Sequence, residues 1–387
     1  MDKKLKILRL IPTLNPIAGG PTEALIKITP FLNKLDVETS VITFDSPADD
    51  FIKNHPFKVI PLGPVNTIYG YKRNIPNLIK EVAKDKNFVI VHGIWQYHSF
   101  ATWRALRNTN IPYFVFTHGM LDPLFKKYFP LKHLKKWLYW PWAEFRVLRD
   151  AQGVLFTTNE EKILARKSFW LYKVNEIVTG YGTAPPPSNK EIKSDLFFEK
   201  YQNLKSKNII LFMGRIHKKK GIDILLKSFS DTLKNNKKYV LVIAGPDSYG
   251  LKTELVNLAK DLKINDQIYW TGMLKGELKW SAFRASELFC LPSYGENFGI
   301  VVAEALGCGL PVAISNKVNI YKKIESGKSG IIFNNNPKGL NEALKLWLSL
   351  SPDKKLEMSQ NAINTFNNEF NLENISKNFL KIIMKNL

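Results

Sequence analysis

The 387-residue sequence is 45% hydrophobic and 23% charged, with nine tryptophans and a net charge of +22. That composition excludes a disordered or fibrous chain and allows two domains of about 190 residues each, with real cores. Two cysteines, Cys290 and Cys308, exclude a disulfide framework and read as buried, reduced thiols of a cytosolic protein.

The first element, "MDKKLKILRLIPTL", has Lys6 and Arg9 where a signal peptide needs an apolar run, and no small-residue cleavage site follows, so it reads as a strand. The longest uncharged stretch, Asn87 to Trp103, is 17 residues and includes His92, Gln96 and His98. It is too short and too polar to cross a bilayer, which implies a soluble or peripheral protein. Up to residue 180 there are 26 basic and 15 acidic residues, a charge of +11, and the remainder carries the other +11. An excess spread this evenly favours acidic partners in general: nucleotide phosphates, anionic lipid or nucleic acid.

Strand patterns run at 5–11, 39–44, 88–93, 113–119, 153–158 and 175–180, with helical patterns between them. "YGTAPPPSNKEIKSD" then breaks the alternation, because three consecutive prolines continue neither a helix nor a central strand. Beyond it the pattern restarts at 208–214, 239–245, 267–272, 288–293, 311–315 and 330–333. The expectation is an α/β protein of two doubly wound, Rossmann-like domains facing across a cleft. The boundaries are domain 1–182, linker 183–207, domain 208–370, and a final amphipathic helix over 371–387 with Ile375, Phe379, Ile382 and Ile383 on one side.

Several loops could carry chemistry. In "MGRIHKKKG", Arg215 and Lys220 lie between a strand and a helix N-terminus, a place suited to a diphosphate; a solvated basic turn explains them as well. In "LNPIAGGPTEALIKI", Gly19 and Gly20 permit close backbone approach, although the dinucleotide glycine spacing is missing and a plain tight turn would serve. In "CLPSYGENFGIVVAEALGCGLPVAIS", Ile300, Val301, Ala303, Ala305 and Leu306 are expected in core, which leaves Glu304 inside an apolar helix. A carboxylate there needs a partner, either a ribose diol or a lysine. Glu296, just before the helix, could meet a sugar hydroxyl or act as a cap.

In this order, "GRIHKKKG", "IAGPD" and "PSYGENFGIVVAEALGCGLPVAIS" resemble the carboxyl-terminal domain of the family-four (group 1) retaining glycosyltransferases, which have the GT-B fold. Two glutamates eight positions apart around Phe-Gly, followed by an Ala-x-Gly-x-Pro-Val strand entry, carry the resemblance. It extends weakly over the first half through the glycine loop and "THGM". It implies that the second domain binds a nucleotide sugar and the first an acceptor. Arg215, Lys220, Gly19 and Gly20 then meet the donor diphosphate. Glu304 holds the ribose, and Glu296, Asn297, Phe298 and Gly299 meet the sugar. His118 matches the family's active-site histidine. The last helix would cross back to the first domain; lying on a membrane surface is the alternative.

The resemblance further implies retention of configuration without a protein nucleophile, His118 and Glu296 positioning donor and acceptor. No cofactor or metal is expected beyond the nucleotide-diphosphate sugar itself: no Asp-x-Asp pair stands in a suitable place, and Asp49-Asp50 reads as a loop. Surface polysaccharide or lipopolysaccharide assembly, in the cytoplasm or on the inner face of the plasma membrane, is the expected setting. A sugar-nucleotide epimerase or hydrolase on the same fold is the enzymatic alternative. The less favoured alternative outside enzymes, a basic nucleic-acid-binding protein, explains the charge but not Glu296 and Glu304, and no module for it is recognisable, so nucleic acid is not an expected partner. On the acceptor side, residues 126–149 hold seven Lys or Arg against Glu144 alone, interleaved with Trp137, Tyr139, Trp140 and Trp142. Three uses suit that mixture: an anionic membrane surface, core packing beneath a solvated basic face, or grip on an acidic sugar or diphosphate carrier.

Overall fold

Largely apolar runs three to seven residues long lie side by side as parallel strands, and the helical segments between them cover both sheet faces. The computed structural model describes residues 4–65, 67–128, 130–188 and 195–387. The chain divides into two units, residues 1–184 with 372–387, and residues 185–371.

In the first unit seven parallel strands take the order β3-β2-β1-β4-β5-β6-β7. They are β1 (Leu5–Leu10), β2 (Val37–Thr43), β3 (Lys58–Pro61), β4 (Phe88–His92), β5 (Tyr113–Phe116), β6 (Gly153–Phe156) and β7 (Glu176–Val178). Alternation sends Leu8, Leu10, Val89 and Val91 to one face, against Ile75, Ile79, Tyr97 and Trp140. It sends Ile7, Phe88, Ile90 and Phe114 to the other, against Leu32, Phe379 and Ile383. The last two belong to the final helix, Leu372–Lys385, so that helix completes a core begun at residue 5. β3 has no counterpart among the sequence expectations. It is a short, half-buried edge strand that follows Pro56 and ends at Pro61, so it lacks the continuous apolar run of its neighbours.

The second unit has six parallel strands in the order β10-β9-β8-β11-β12-β13. These are β8 (Asn208–Met213), β9 (Tyr239–Ala244), β10 (Ile268–Gly272), β11 (Leu288–Leu291), β12 (Val312–Ser315) and β13 (Gly330–Phe333). Part of the expected linker belongs to this unit: Asp195–Lys200 is a helix, Phe197 is buried, and its N–H donates to Ser281 Oγ at 2.8 Å. Six residues are too few for a helical period to show against polar flanks. In both sheets strand order reverses next to the first strand, between β1 and β4 and between β8 and β11. The loops leaving those strands are where an open α/β sheet presents groups to a ligand.

The basic, aromatic segment splits by function. Trp140 is fully buried, stacks on Phe169 at 4.6 Å and donates through Nε1 to the Trp170 carbonyl at 2.7 Å. Tyr139 shares a hydrogen bond with Tyr69, and Lys136 lies 4.6 Å from the Trp95 ring centroid. Trp137 and Trp142 stay exposed. Glu144 is buried too, accepting from the Trp95 N–H at 2.8 Å and Ser99 Oγ at 2.9 Å. Burial pushes its carboxyl up to about 7, against the pull of those two donors.

A carboxyl raised above its unfolded value binds an extra proton in the fold. Its contribution is therefore full below about pH 4.5 and is lost as pH rises through about 7. Glu144→Gln, which needs no proton, is expected to gain on wild type across that window, by of order 1–3 kcal/mol at alkaline pH. Denaturant unfolding of both proteins between about pH 5 and 8 measures it; a constant difference contradicts the assignment.

Candidate active site

Two buried carboxylates organise the first unit's strand-end loops. Asp45, just after β2, accepts from the Leu14 N–H at 2.7 Å and from the Thr13 and Thr43 hydroxyls. It thereby anchors the chain that turns through Pro16–Ala18 into Gly19 and the helix Gly20–Asn33. Gly19 has φ +85°, a left-handed conformation that strains any other residue, and a side chain added there would meet open space. The Tyr181 hydroxyl donates to the Gly20 carbonyl at 3.3 Å.

His118 follows β5 with φ +48°, rare for a residue with a Cβ. Glu161 holds that turn. One of its oxygens accepts from Gly119 N–H at 2.6 Å and Thr117 Oγ1 at 2.8 Å, the other from Thr157 N–H at 2.7 Å and Thr157 Oγ1 at 2.6 Å. His118 Nε2 lies 3.0 Å from His92 Nδ1, and His92 Nε2 lies 3.3 Å from Arg9 Nη1. These side chains line a cavity of about 30 Å³ with Tyr181, Ile375 and Phe379. Burial first, then the Arg9 charge, lowers the His118 imidazole to about 4.

The second unit gathers most of the remaining candidates. β8 ends at Met213, Gly214 and the exposed Arg215 follow it, and Gly221 caps the helix Ile222–Leu233. Gly221 takes φ +69°, and a Cβ there would collide with the Pro292 carbonyl, so this position requires glycine. The start of that helix has no side-chain cap. Lys220 folds back over Gly214 and pairs with Glu296, both side chains mostly covered. Glu296 is held by its backbone, its N–H donating to the Lys317 carbonyl at 2.9 Å and its carbonyl accepting from Asn319 N–H at 3.0 Å.

Gly299, at φ +75°, opens the helix Ile300–Gly307, and the buried Phe298 ring packs edge-on against Phe370 at 5.6 Å. Asn297 lies in the same loop. Val302 to Leu306 are fully buried, whereas Ile300 and Val301, expected in core, are half-covered because the first turn lies at the helix's open end. Glu304 is 1% exposed and forms an ion pair with Lys279 at 2.6 Å. Its carboxylate is thus compensated by a lysine, and Lys279 fixes where it points.

Within the units, then, Lys220 touches Glu296, and Gly19–Gly20 and His118 occupy strand-end loops of the first sheet. Arg9, Asp45, His92, Glu161 and Lys279 escaped the sequence reading. Glu161 had a signal: Thr158-x-x-Glu161 is a capping-box pattern, and Thr158 Oγ1 does accept from the Glu161 N–H at 3.0 Å. Lys279 had none among 56 Lys and Arg. Among the described residues no three His, Cys, Asp or Glu side chains cluster as metal ligands would.

The family described as "Glycosyl transferases group 1" matches residues 193–365, and "Glycosyl transferase 4-like domain" matches 19–178. The chain belongs to the group 1 glycosyltransferases. Among curated relatives it is similar to the D-inositol 3-phosphate glycosyltransferase of Gordonia bronchialis, 31% identical over 162 residues, 40% of this chain and 35% of that protein. The same-named protein of Mycolicibacterium smegmatis is 35% identical over 126 residues, 32% of this chain and 28% of that one. The chain thus spans about a third of the length of the curated relatives it matches.

Solved structures resemble it over nearly its whole length. Sucrose-phosphate synthase from Thermosynechococcus elongatus gives a TM-score of 0.78 at 18% identity, covering 98% of each chain. A glycosyltransferase from Rickettsia africae gives 0.78 at 18%, covering 99% of this chain and 98% of that one. Anabaena HepE in complex with UDP and glucose gives 0.74 at 16%, covering 98% and 99%. The shared fold is the GT-B fold expected from the sequence.

Glu161→Ala leaves four donors without their acceptor and is expected to cost roughly 3–5 kcal/mol in denaturant unfolding. Glu161→Gln, which still accepts on one side, should cost about half of that. A loss below about 1 kcal/mol for the alanine variant contradicts the clamp.

Proposed function

We propose that the protein transfers a hexose from a UDP- or GDP-linked sugar to a saccharide or lipid-linked saccharide acceptor. The transfer retains configuration, uses no metal and serves surface polysaccharide or lipopolysaccharide assembly on the cytoplasmic side. The observation that carries this reading is the Lys220–Glu296 pair at the uncapped start of Ile222–Leu233, with Arg215 exposed in the same loop. A diphosphate at that helix end meets free N–H groups, a guanidinium and an ammonium, which together stabilise the leaving group as the anomeric bond breaks.

By drawing Lys220 toward phosphate, the donor releases Glu296 to accept from a sugar hydroxyl. Glu304, oriented by Lys279, accepts from the ribose diol. Asn297, Phe298 and Gly299 shape the sugar subsite, and Gly19 and Gly20 approach the phosphates. His118 contributes to orientation. The leaving phosphate takes the acceptor's proton, so no protein nucleophile is required.

A second observation favours a lipid-linked acceptor. The helix Pro130–Tyr139 has no buried residue, with Leu131, Leu134 and Leu138 at 78%, 56% and 61% exposure and Trp142 at 70% beyond it. Lys126, Lys132 and Lys135 are exposed in the same segment, whose one acidic residue, Glu144, is buried. Apolar side chains flanked by cations suit the headgroup zone of an anionic membrane.

Calorimetric titration of UDP and GDP tests the donor site. One nucleotide should bind wild type, and Arg215→Ala and Glu304→Gln should each weaken it at least tenfold. Failure of both nucleotides would falsify the reading, and donor turnover to free nucleotide without an acceptor would favour the epimerase or hydrolase instead. Flotation with anionic vesicles tests the membrane face. Wild type should float at low salt and Leu131→Gln/Leu138→Gln should not; a wild type that stays at the bottom ends that proposal.

A further inference from the structure

Arg9 is an odd residue for the middle of a parallel strand. It sits in register with Val41 on one side and Ile90 on the other, is 2% exposed, and forms no ion pair among the described residues. Its guanidinium lies 5.6 Å from the Phe379 ring centroid, and its Nε and Nη2 make no hydrogen bond there. Among the described residues its one hydrogen bond is from Nη1 to His92 Nε2.

A guanidinium has only donors. His92 Nε2 must therefore present its lone pair, which puts the hydrogen of that ring on Nδ1. His92 Nδ1–H then donates to His118 Nε2, and the hydrogen of His118 is left on Nδ1, directed away from the chain of contacts. The stacking of the Phe116 ring on both imidazoles, at 5.5 Å from His92 and 5.2 Å from His118, fixes their planes. Other polar neighbours leave the arrangement alone. His98 Nε2 donates to the His92 carbonyl at 2.9 Å, Tyr181 meets His118 edge-on at 6.4 Å, and Glu161 binds the Gly119 backbone. No carboxylate is hydrogen-bonded to either imidazole among the described residues. Burial and the Arg9 charge lower both imidazoles, His118 to about 4, so both are neutral near pH 7.

We propose that Arg9 and His92 are positioning residues that fix His118 as a neutral imidazole with its hydrogen on Nδ1. His118 then offers a ligand a hydrogen-bond donor, for a hydroxyl or phosphate oxygen of the sugar nucleotide, and does not act as a base. The inference rests on His118 belonging to the donor site. It also separates two roles an active-site histidine can have, proton acceptor and fixed donor, and assigns the second. Because neither ring gains a proton, the contribution of His118 is constant from about pH 5.5 to 8.5.

Nitrogen-15 NMR reads imidazole tautomers directly, and the chain has only six histidines to assign. In wild type His92 and His118 should both show the Nδ1–H pattern over that pH range. Arg9→Met removes the donor and fills the space with an apolar chain, and both rings should move together toward Nε2–H. His92→Gln, whose amide accepts and donates as the ring does, should keep His118 on Nδ1–H, whereas His92→Phe should not. With the cognate donor, Arg9→Met should lower affinity for the sugar nucleotide about tenfold.

A wild-type His118 found as Nε2–H or as a cation near pH 6 overturns the proposal, and so does an Arg9→Met tautomer identical to wild type. Thermal unfolding of each variant confirms that it is folded, and His92→Gln carries the test should Arg9→Met fail to fold. The tautomers are read without nucleotide, so a failure of UDP and GDP to bind counts against the glycosyltransferase reading alone.

Discussion

A carboxylate can be kept out of water only if its oxygens are answered by donors, and this requirement shapes the loops on which the site depends. Asp45 ties down the approach to Gly19 and Gly20, Glu161 ties down the turn that carries His118, and Glu304 is held by Lys279. Each sits at or just beyond the carboxyl end of a strand or on the helix that follows. The donors it collects are backbone N–H groups, hydroxyls or an ammonium that would otherwise lie unpaired. Loops held in this way keep left-handed backbone at Gly19 and His118 that a free segment would relax.

The sheets decide where those loops point. Parallel strands send all their carboxyl ends to one edge, and strand order reverses beside the first strand of each sheet. In the first sheet β1 and β4 supply Arg9 and His92; in the second, β8 and β11 are followed by the loops of Arg215–Lys220 and Glu296–Gly299. Residues distant in sequence therefore meet within a unit, as Lys220 and Glu296 do across 76 positions. The acidic partners are few in a chain of charge +22, and those that matter are covered, whereas most lysines face solvent.

Much of this was legible beforehand. Twelve of the strands coincide with apolar runs bounded by turn residues, and the spacing of Glu296, Gly299 and Glu304 identified the family. What escaped reading has a common physical cause. Arg9, in "LKILRLIPTL", looks like a charge on an exposed strand position, because a sequence does not show which strand positions both neighbours will cover. Lys279 and Asp45 act through partners 25 and 31 residues away, on other elements. The half-exposed edge strand Lys58–Pro61 lacks the continuous hydrophobicity that betrays a central one. In the segment 126–149 composition alone could not separate Trp140, which fills the core, from Trp142, which does not.

The first unit is also discontinuous in sequence. Residues 5–184 build its seven strands, 187 residues then form the other unit, and only afterwards come Phe379 and Ile383, which close one face of the first sheet. On the ribosome the second unit is therefore free to finish folding while the first still shows an uncovered apolar face around Ile7, Ile90 and Phe114. Chaperone capture and proteolysis of nascent chains should fall in that interval, and the last helix acts as the latch that ends it.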